Sequence, residues 1–396
     1  MNSSILLSIA AIYSEDRING SKVSSDCFVT TDSMIQNKVG VTVTPVLPKG
    51  NLIAFSKGDI LVGNIRPYLK KIWYADRDGG CSPDVLVIKA KSISIDSKFL
   101  YYSLFRDDFF NHMMKGSKGT KMPRGDKSQI LRFHIPKIEL STQQKIASVL
   151  SALDSKIELN NRINVELEAM AKTLYDYWFV QFDFPDKNGN PYKTSGGKMV
   201  WNEELKREIP EGWISGELKD IANITMGQSP PGESYNEEGN GMIFYQGCTD
   251  FGNRFPTVRK FTTEPTRFAK EGDILLSVRA PVGTLNIAKE NCCIGRGLAS
   301  LNSKDNCIGY LFGVMVNLKQ IFDRRNVDGT TFGSITKDDL FSLKVVKPTN
   351  IILQKYHTTI NSSFEKQNQL ELENIKLTEL RDWLLPMLMN GQVKVN

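Results

Sequence analysis

Three histidines and six cysteines among 396 residues, with no CxxC pair, leave little from which to build a zinc site. The cysteines are scattered at Cys27, Cys81, Cys248, Cys292, Cys293 and Cys307. No apolar run approaches the ~20 residues that a membrane-crossing helix requires, so no membrane partner is expected. The opening MNSSILLSIAAIYSEDR has a short apolar run, with no basic segment before it and no clear cleavage site after it. A secretory signal is therefore not expected, and the chain is read as cytoplasmic, with reduced thiols.

Catalytic machinery is also missing. Asn190-Pro191-Tyr192 is a fragment of the loop with which amino-methyltransferases grip a flipped base, but it lacks one proline, lies in a Gly/Asn-rich linker and follows no glycine-rich cofactor loop. Ser195-Gly196-Gly197-Lys198 is followed by Met199 and does not fit a phosphate-loop frame. Pro83-Asp84 before Val87-Ile88-Lys89 lacks the second carboxylate that a metal-dependent nuclease needs. His112, His134 and His357 are isolated. No active site, and no cofactor in this chain, is expected.

What the sequence does contain is a duplication. With 40% hydrophobic and 24% charged residues it has the composition of a globular protein, and its formal charge of +6 is compatible with a polyanionic partner without requiring one. Gly58-Asp59-Ile60-Leu61 recurs as Gly272-Asp273-Ile274-Leu275, Ser8-Ile9-Ala10 matches Asp220-Ile221-Ala222, Gly119-Thr120 matches Gly329-Thr330, and Gln144-Lys145 matches Gln354-Lys355. These matches keep their order, at offsets between 210 and 214. Each copy begins with short apolar or alternating runs bounded by Gly, Pro, Asp and Lys, which predict a mixed α/β unit. In the first copy FLYYSLFRDDFFNHMMKG reads as a helix with aromatic anchors.

Each copy closes on a long helical pattern. Ile146, Leu150, Leu153, Ile157, Ile163, Leu167, Met170 and Leu174 recur at three- and four-residue steps. So do Tyr356, Ile360, Phe364, Leu370, Leu377 and Leu384, with Pro386 expected to end the second helix near Gly391. At ~1.5 Å per residue each helix would be roughly 50–60 Å long. Asn164 and Asn374 lie near the two seams, either buried as register-fixing polar residues or at a wet edge. The expected organisation is a first unit over 1–140, a helix over 141–182, a Gly/Pro/Asn-rich connector over 183–207, a second unit over 208–350, and a second helix with tail over 351–391.

Basic residues concentrate before the first long helix, at Lys115, Lys118, Lys121, Arg124, Lys127 and Arg132 against Asp126 alone. Such a loop suits phosphate contacts, with an arginine free to read a guanine edge. The matching segment of copy two carries Arg324, Arg325, Thr330, Thr331 and Ser334. An arginine also follows each Gly-Asp-Ile-Leu strand: Arg66, with Tyr68, Lys70 and Lys71 after it, and Arg279, with Arg296 further on. These are the candidate DNA-contacting residues. Pairing of the two strand-end arginines with Asp59 or Asp273 is the competing explanation.

In this order, and twice, the landmarks resemble the specificity subunits of type I restriction–modification systems over essentially the whole chain. They are Gly-Asp-Ile-Leu with its arginine, Gly-Thr before the last strand, Gln143-Gln144-Lys145-Ile146 opening a helix, Leu174-Tyr175-Asp176-Tyr177-Trp178-Phe179, and Ile209-Pro210-Glu211-Gly212-Trp213. The resemblance implies an α+β fold, a tandem pseudo-twofold repeat of two mixed α/β target-recognition domains separated by two long antiparallel helices in a coiled coil. It implies that each domain reads half of a split double-stranded DNA target while the coiled coil sets the spacer. It also implies two methylation subunits using S-adenosylmethionine, and a restriction/translocase subunit using ATP and Mg. One departure is that the Gly-Trp landmark precedes only the second copy, so the first is expected to borrow its lead-in from the C-terminal tail. A coiled-coil scaffold joining two protein-binding domains, or a stand-alone DNA methyltransferase or nuclease, remain the alternatives at this point.

Overall fold

The computed structural model describes residues 4–46, 48–119, 121–327 and 334–395. The chain divides into two compact units, Met1–Glu158 with Asn374–Asn396, and Leu159–Glu373. Both divisions fall inside long helices, Leu140–Tyr175 and Asn350–Met389.

In the first unit a four-stranded antiparallel sheet has the spatial order Ala11–Tyr13, Val85–Ala90, Ile60–Gly63, Ile72–Tyr74. Its inner strand Ile60–Gly63 is apolar at every position because both faces are covered. Ile60 and Val62 face a core built with Phe99, Leu100 and Phe105, whereas Leu61 faces Trp73 and Val87. The second unit repeats the order with Ala222–Met226, Leu298–Ser303, Ile274–Ser277 and Leu285–Ile287. There Ile274 and Leu276 face one core and Leu275 the other.

The duplicated Gly-Asp has a structural cause. Gly58 and Gly272 sit at φ +92° and +84°, a region that favours glycine. The following aspartate closes the turn by accepting the backbone N–H three residues back, Ser56 to Asp59 at 2.8 Å and Lys270 to Asp273 at 2.9 Å. Among the described residues neither aspartate holds an arginine. Asp59 lies 3.8 Å from Lys89, and Asp273 accepts from Ser300 and Asn302.

Each repeat is closed by the strands on which its chain enters and leaves. Ser4–Leu6 pairs antiparallel with His134–Pro136, and Ile214–Glu217 with Lys344–Lys347. The aromatic segment of copy one forms two helices rather than one, Ser97–Phe105 and Asp107–Lys115. The break falls at Arg106, which is extended, and Asp107 and Asp108 then supply negative charge to a new helix N-terminus.

The long helices run antiparallel, Asp154 pairing with Arg381 at 2.8 Å and Asn160 with Glu373 at 2.8 Å. Ile146, Leu150, Tyr356, Ile360 and Leu370 are buried; Leu153, Ile157, Ile163, Leu167, Leu174, Phe364, Leu377 and Leu384 are half-buried. Met170 is 53% exposed and does not belong to the seam. Polar residues are prominent among the buried positions of the two helices: Gln143, Asn160, Gln367, Glu371 and Asn374. Asn374 is thus inside and Asn164 half-buried. Pro386 stays within the helix, which ends at Met389 just before Gly391 at φ +69°.

In the first unit Leu384, Leu385, Leu388, Met389, Val393 and Val395 pack on the main core, so the C-terminal tail does contribute to that domain. In the second unit Trp178, Phe179, Phe182, Phe184 and Trp213 do the same. The connector is folded: Phe184 stacks between Tyr192 and Trp213 at 4.7 and 4.9 Å, and Asp183 accepts from the Thr194 backbone and hydroxyl, both at 2.7 Å. Tyr192 of the Asn-Pro-Tyr segment is therefore part of a structural turn.

Candidate nucleic-acid interface

Three turns of the first domain converge beyond the strand Ile60–Gly63. The first is Asn64 to Lys70, with Arg66 and Lys70 both left-handed at φ +51° and +50° around a short 3-10 turn. The second is the loop leading to the last strand, where Lys118 and Arg124 exchange backbone hydrogen bonds of 3.0 and 2.9 Å. The third is the turn at Asp84. Backbone bonds fix all three: Gly125 N–H to Asn64 O (3.1 Å), Arg66 N–H to Pro123 O (2.7 Å) and Asn64 N–H to Asp84 O (2.9 Å).

The second domain builds the same junction. Ile335 N–H donates to Val278 O at 2.8 Å, and Val278 N–H donates to Gly297 O at 2.9 Å. Isolated bridges join Ile65 with Arg124 in one domain and Arg279 with Ser334 in the other. Superposing these bonds sets Ile65 against Arg279, Arg124 against Ser334, and the Pro83-Asp84 turn against Arg296-Gly297. The two strand-end arginines, Arg66 and Arg279, are therefore one position out of register. The shared feature is the backbone junction, and the cations it presents differ.

In the first domain Arg66, Tyr68, Lys118, Lys121 and Arg124 are exposed. Arg124 donates to Asp84 at 2.5 Å, which gives the Pro83-Asp84 pair its role, and Lys118 lies 3.8 Å from Asp126. Lys70 and Lys38 both hold Asp107, at 2.8 and 2.6 Å, and lower its carboxyl against the opposing effect of partial burial. Lys71 turns inward to donate to Thr31 O, and burial lowers its ammonium. Lys70 and Lys71 are thus engaged within the protein, whereas Arg66 and Lys121 have no ion-pair partner among the described residues.

In the second domain Arg279, Arg296 and Ser334 are exposed at the junction. Arg296 approaches Ser229 Oγ to 3.4 Å through both its backbone N–H and Nε. The side chains of Arg324 and Arg325, and the whole of Thr330 and Thr331, lie outside the described residues. Among the described residues no cluster of His, Cys, Asp and Glu is arranged to hold a metal ion, and no helix is long and apolar enough to cross a membrane.

Arg254, a buried arginine of the second domain, does not stand out in the sequence, and Asp84 shows there only as part of an incomplete metal-site pattern, with no link to Arg124. Asp84 meets Arg124 across 40 residues, and the partners of Arg254 lie more than 100 residues away. No local pattern encodes contacts of that range.

The family model for the type I restriction modification DNA specificity domain matches residues 18–169 and 210–380. The chain is 30% identical to a putative type I restriction enzyme MjaX specificity subunit of Methanocaldococcus jannaschii, over 79% of this chain and 72% of that one. It is 24% identical to the type I restriction enzyme HindI specificity subunit of Haemophilus influenzae, over 92% and 94% of the two chains. The crystal structure of a type I restriction-modification system S subunit from M. genitalium shares the fold, with a TM-score of 0.59 at 17% identity over 98% of this chain and 96% of that one.

Proposed function

The chain belongs to the type I restriction modification DNA specificity family, and from that premise we propose that it is a DNA-recognition subunit whose two domains each read one half of an interrupted duplex target. The observation that carries this reading is the three-turn junction, built twice on one backbone frame with unlike side chains. In the first domain Arg66, Lys118, Lys121 and Arg124 offer a dense set of cations. In the second, Arg279 and Arg296 stand beside the uncharged Ser334. Exposed cations on such turns bind phosphates without regard to sequence, and a guanidinium that reaches the major groove pairs with guanine O6 and N7.

The paired helices set the length of DNA left unread between the half-sites. At 36 and 40 residues they are about 54 and 60 Å long, more than the ~34–36 Å between successive major-groove faces. Chemistry resides in partners: two methylation subunits that use S-adenosylmethionine to modify adenine, and a restriction/translocase subunit that uses ATP and Mg. The present chain supplies the address.

The test is to purify the chain with its methylation partners, supply S-adenosylmethionine, and map modified adenines on a DNA library. A single two-part sequence with fixed spacing is expected, with affinity falling steeply as salt rises. Methylation without sequence preference overturns the proposal.

A further inference from the structure

Arg254 is the only arginine or lysine among the described residues whose side chain is fully enclosed, at 5% exposure. Its segment is stitched to the edge strand Leu285–Ile287 of the second domain's central sheet. Ile287 N–H donates to Arg254 O at 2.8 Å, and the Asn286 amide to Gly252 O at 2.9 Å. From there the guanidinium reaches the helix Asn350–Met389. Nη1 donates to Gln367 Oε1 at 2.7 Å, Nε to Asn368 Oδ1, and Nη2 to Phe364 O at 3.4 Å, while the group lies 4.3 Å above the Phe364 ring. Glu168 and Glu371 attract it from the two long helices, and burial lowers its pKa to about 10.

The same helix is already rooted in the domain through Leu353, Tyr356 and Ile360. Gln367 lies two turns beyond Ile360, about 10 Å along the axis. A root alone leaves a helix free to tilt, whereas a second fastening at that distance defines its direction. Burying a guanidinium among neutral acceptors is a poor way to gain stability, since an apolar side chain would avoid the desolvation. A rigid fork of donors is a good way to hold an angle.

We propose that Arg254 is a positioning residue that fixes the angle at which the second domain holds the helix Asn350–Met389, and thereby the length of unread spacer the chain accepts. The spacer part of this inference rests on the DNA-recognition function proposed above.

The experiment compares wild type with Arg254→Met and Arg254→Lys, each purified with its methylation partners. Binding is measured on duplexes that keep both half-sites but change the spacer by one base pair either way. Wild type should prefer one spacer; Arg254→Met should lower that preference about tenfold without altering base preference in either half-site, and Arg254→Lys should fall between. In parallel, spin labels at Glu290 and Lys366, with Cys27 and Cys248 replaced by serine, report the angle without DNA. Their distance distribution should broaden in Arg254→Met.

A narrow distribution in both variants, or an unchanged spacer preference, overturns the proposal. So does an equal loss of half-site preference, which would mark Arg254 as a general stability residue. A wild type with no sequence preference overturns the recognition function and the spacer claim together, while broadened distances would still support the angular role.

Discussion

In the first domain the strand Gly79–Cys81 lies between a parallel neighbour, Phe28–Val29, and an antiparallel one, Asn51–Phe55, and the sheet grows outward from the latter through Arg17–Asn19. In the second domain Cys292–Ile294 has the same two kinds of neighbour, Met242–Tyr245 and Phe268–Ala269. There the sheet grows from the parallel side, through Phe261–Thr262 and Tyr235–Asn236. The Gly-Asp turn, the four-stranded sheet, the three-turn junction and the closing strand pair are common to both. What varies is the periphery and the side chains on the junction. The constraint therefore acts on how the chain enters, turns and leaves each domain, and the remainder is free to diverge.

The domains also meet their helices differently. Tyr102 donates to Asp154 at 2.6 Å, and Asp154 takes Arg381 on its other oxygen. The aligned position in the second domain is Gly313, where an added Cβ would lie 2.2 Å from the Tyr175 ring. Tyr102→Ala should cost about 4 kcal/mol through the cavity and the lost bond, and Gly313→Tyr about 3 kcal/mol through overpacking. Urea unfolding measures both. If Gly313→Tyr is tolerated, the Tyr175 ring can move aside and the close approach at Gly313 does not require a glycine.

Arg124→Ala and Arg279→Ala test the junction itself. Each should weaken discrimination at one half-site by about 1–3 kcal/mol and leave the other untouched, as read by competition with single-base variants. Effects at both half-sites from one substitution would break the assignment of one domain to one half.

The duplicated aspartates sharpen the comparison within the frame. Asp273 accepts from Lys270 N–H, from Ser300 Oγ at 2.6 Å and from Asn302 Nδ2 at 2.8 Å, whereas Asp59 accepts mainly from Ser56 N–H. Asp273→Ala should destabilise by about 2–3 kcal/mol and Asp59→Ala by about 1 kcal/mol, measured by denaturant titration. Equal losses would mean that the extra partners of Asp273 contribute nothing.

The smallest effect concerns acid. The short helix leading to the last strand is capped by the Asp126 carboxylate in the first domain and by the Thr336 hydroxyl in the second. Hydrogen bonds from Ser128 and Gln129 hold the Asp126 carboxyl below the usual carboxylate range. Its contribution is therefore complete above that range and is lost as pH falls through the lowered value. Amide exchange at Ser128 and Gln129, whose N–H groups donate to that carboxylate, should accelerate as pH falls through the lowered value.

The repeat and both long helices were readable because their signals are local: matched tetrapeptides and apolar residues at helical spacing. The same locality misled in two places. Arg66 and Arg279 look equivalent beside their strands, but backbone bonding to the closing loops puts Ile65, not Arg66, against Arg279. Within the helix pair the apolar spacing left Asn374 undecided between a buried and a wet position, and it gave no sign that Asn160, Gln367 and Glu371 are buried, since polar side chains carry no mark of burial until another element covers them. Arg254 was unreadable for the same reason, because its acceptors come from a helix more than 100 residues downstream.

The pairing of entry and exit strands has a consequence for inheritance. Ile5 faces Ile135 and Gly216 faces Val345, so each domain's chain ends leave side by side on adjacent strands. A recombination event with both crossovers near those strands would exchange everything between them and still return the polypeptide to the same point on its helix. Such a gene can acquire a new half-site as a single cassette, with neither the other half nor the spacing having to be reinvented.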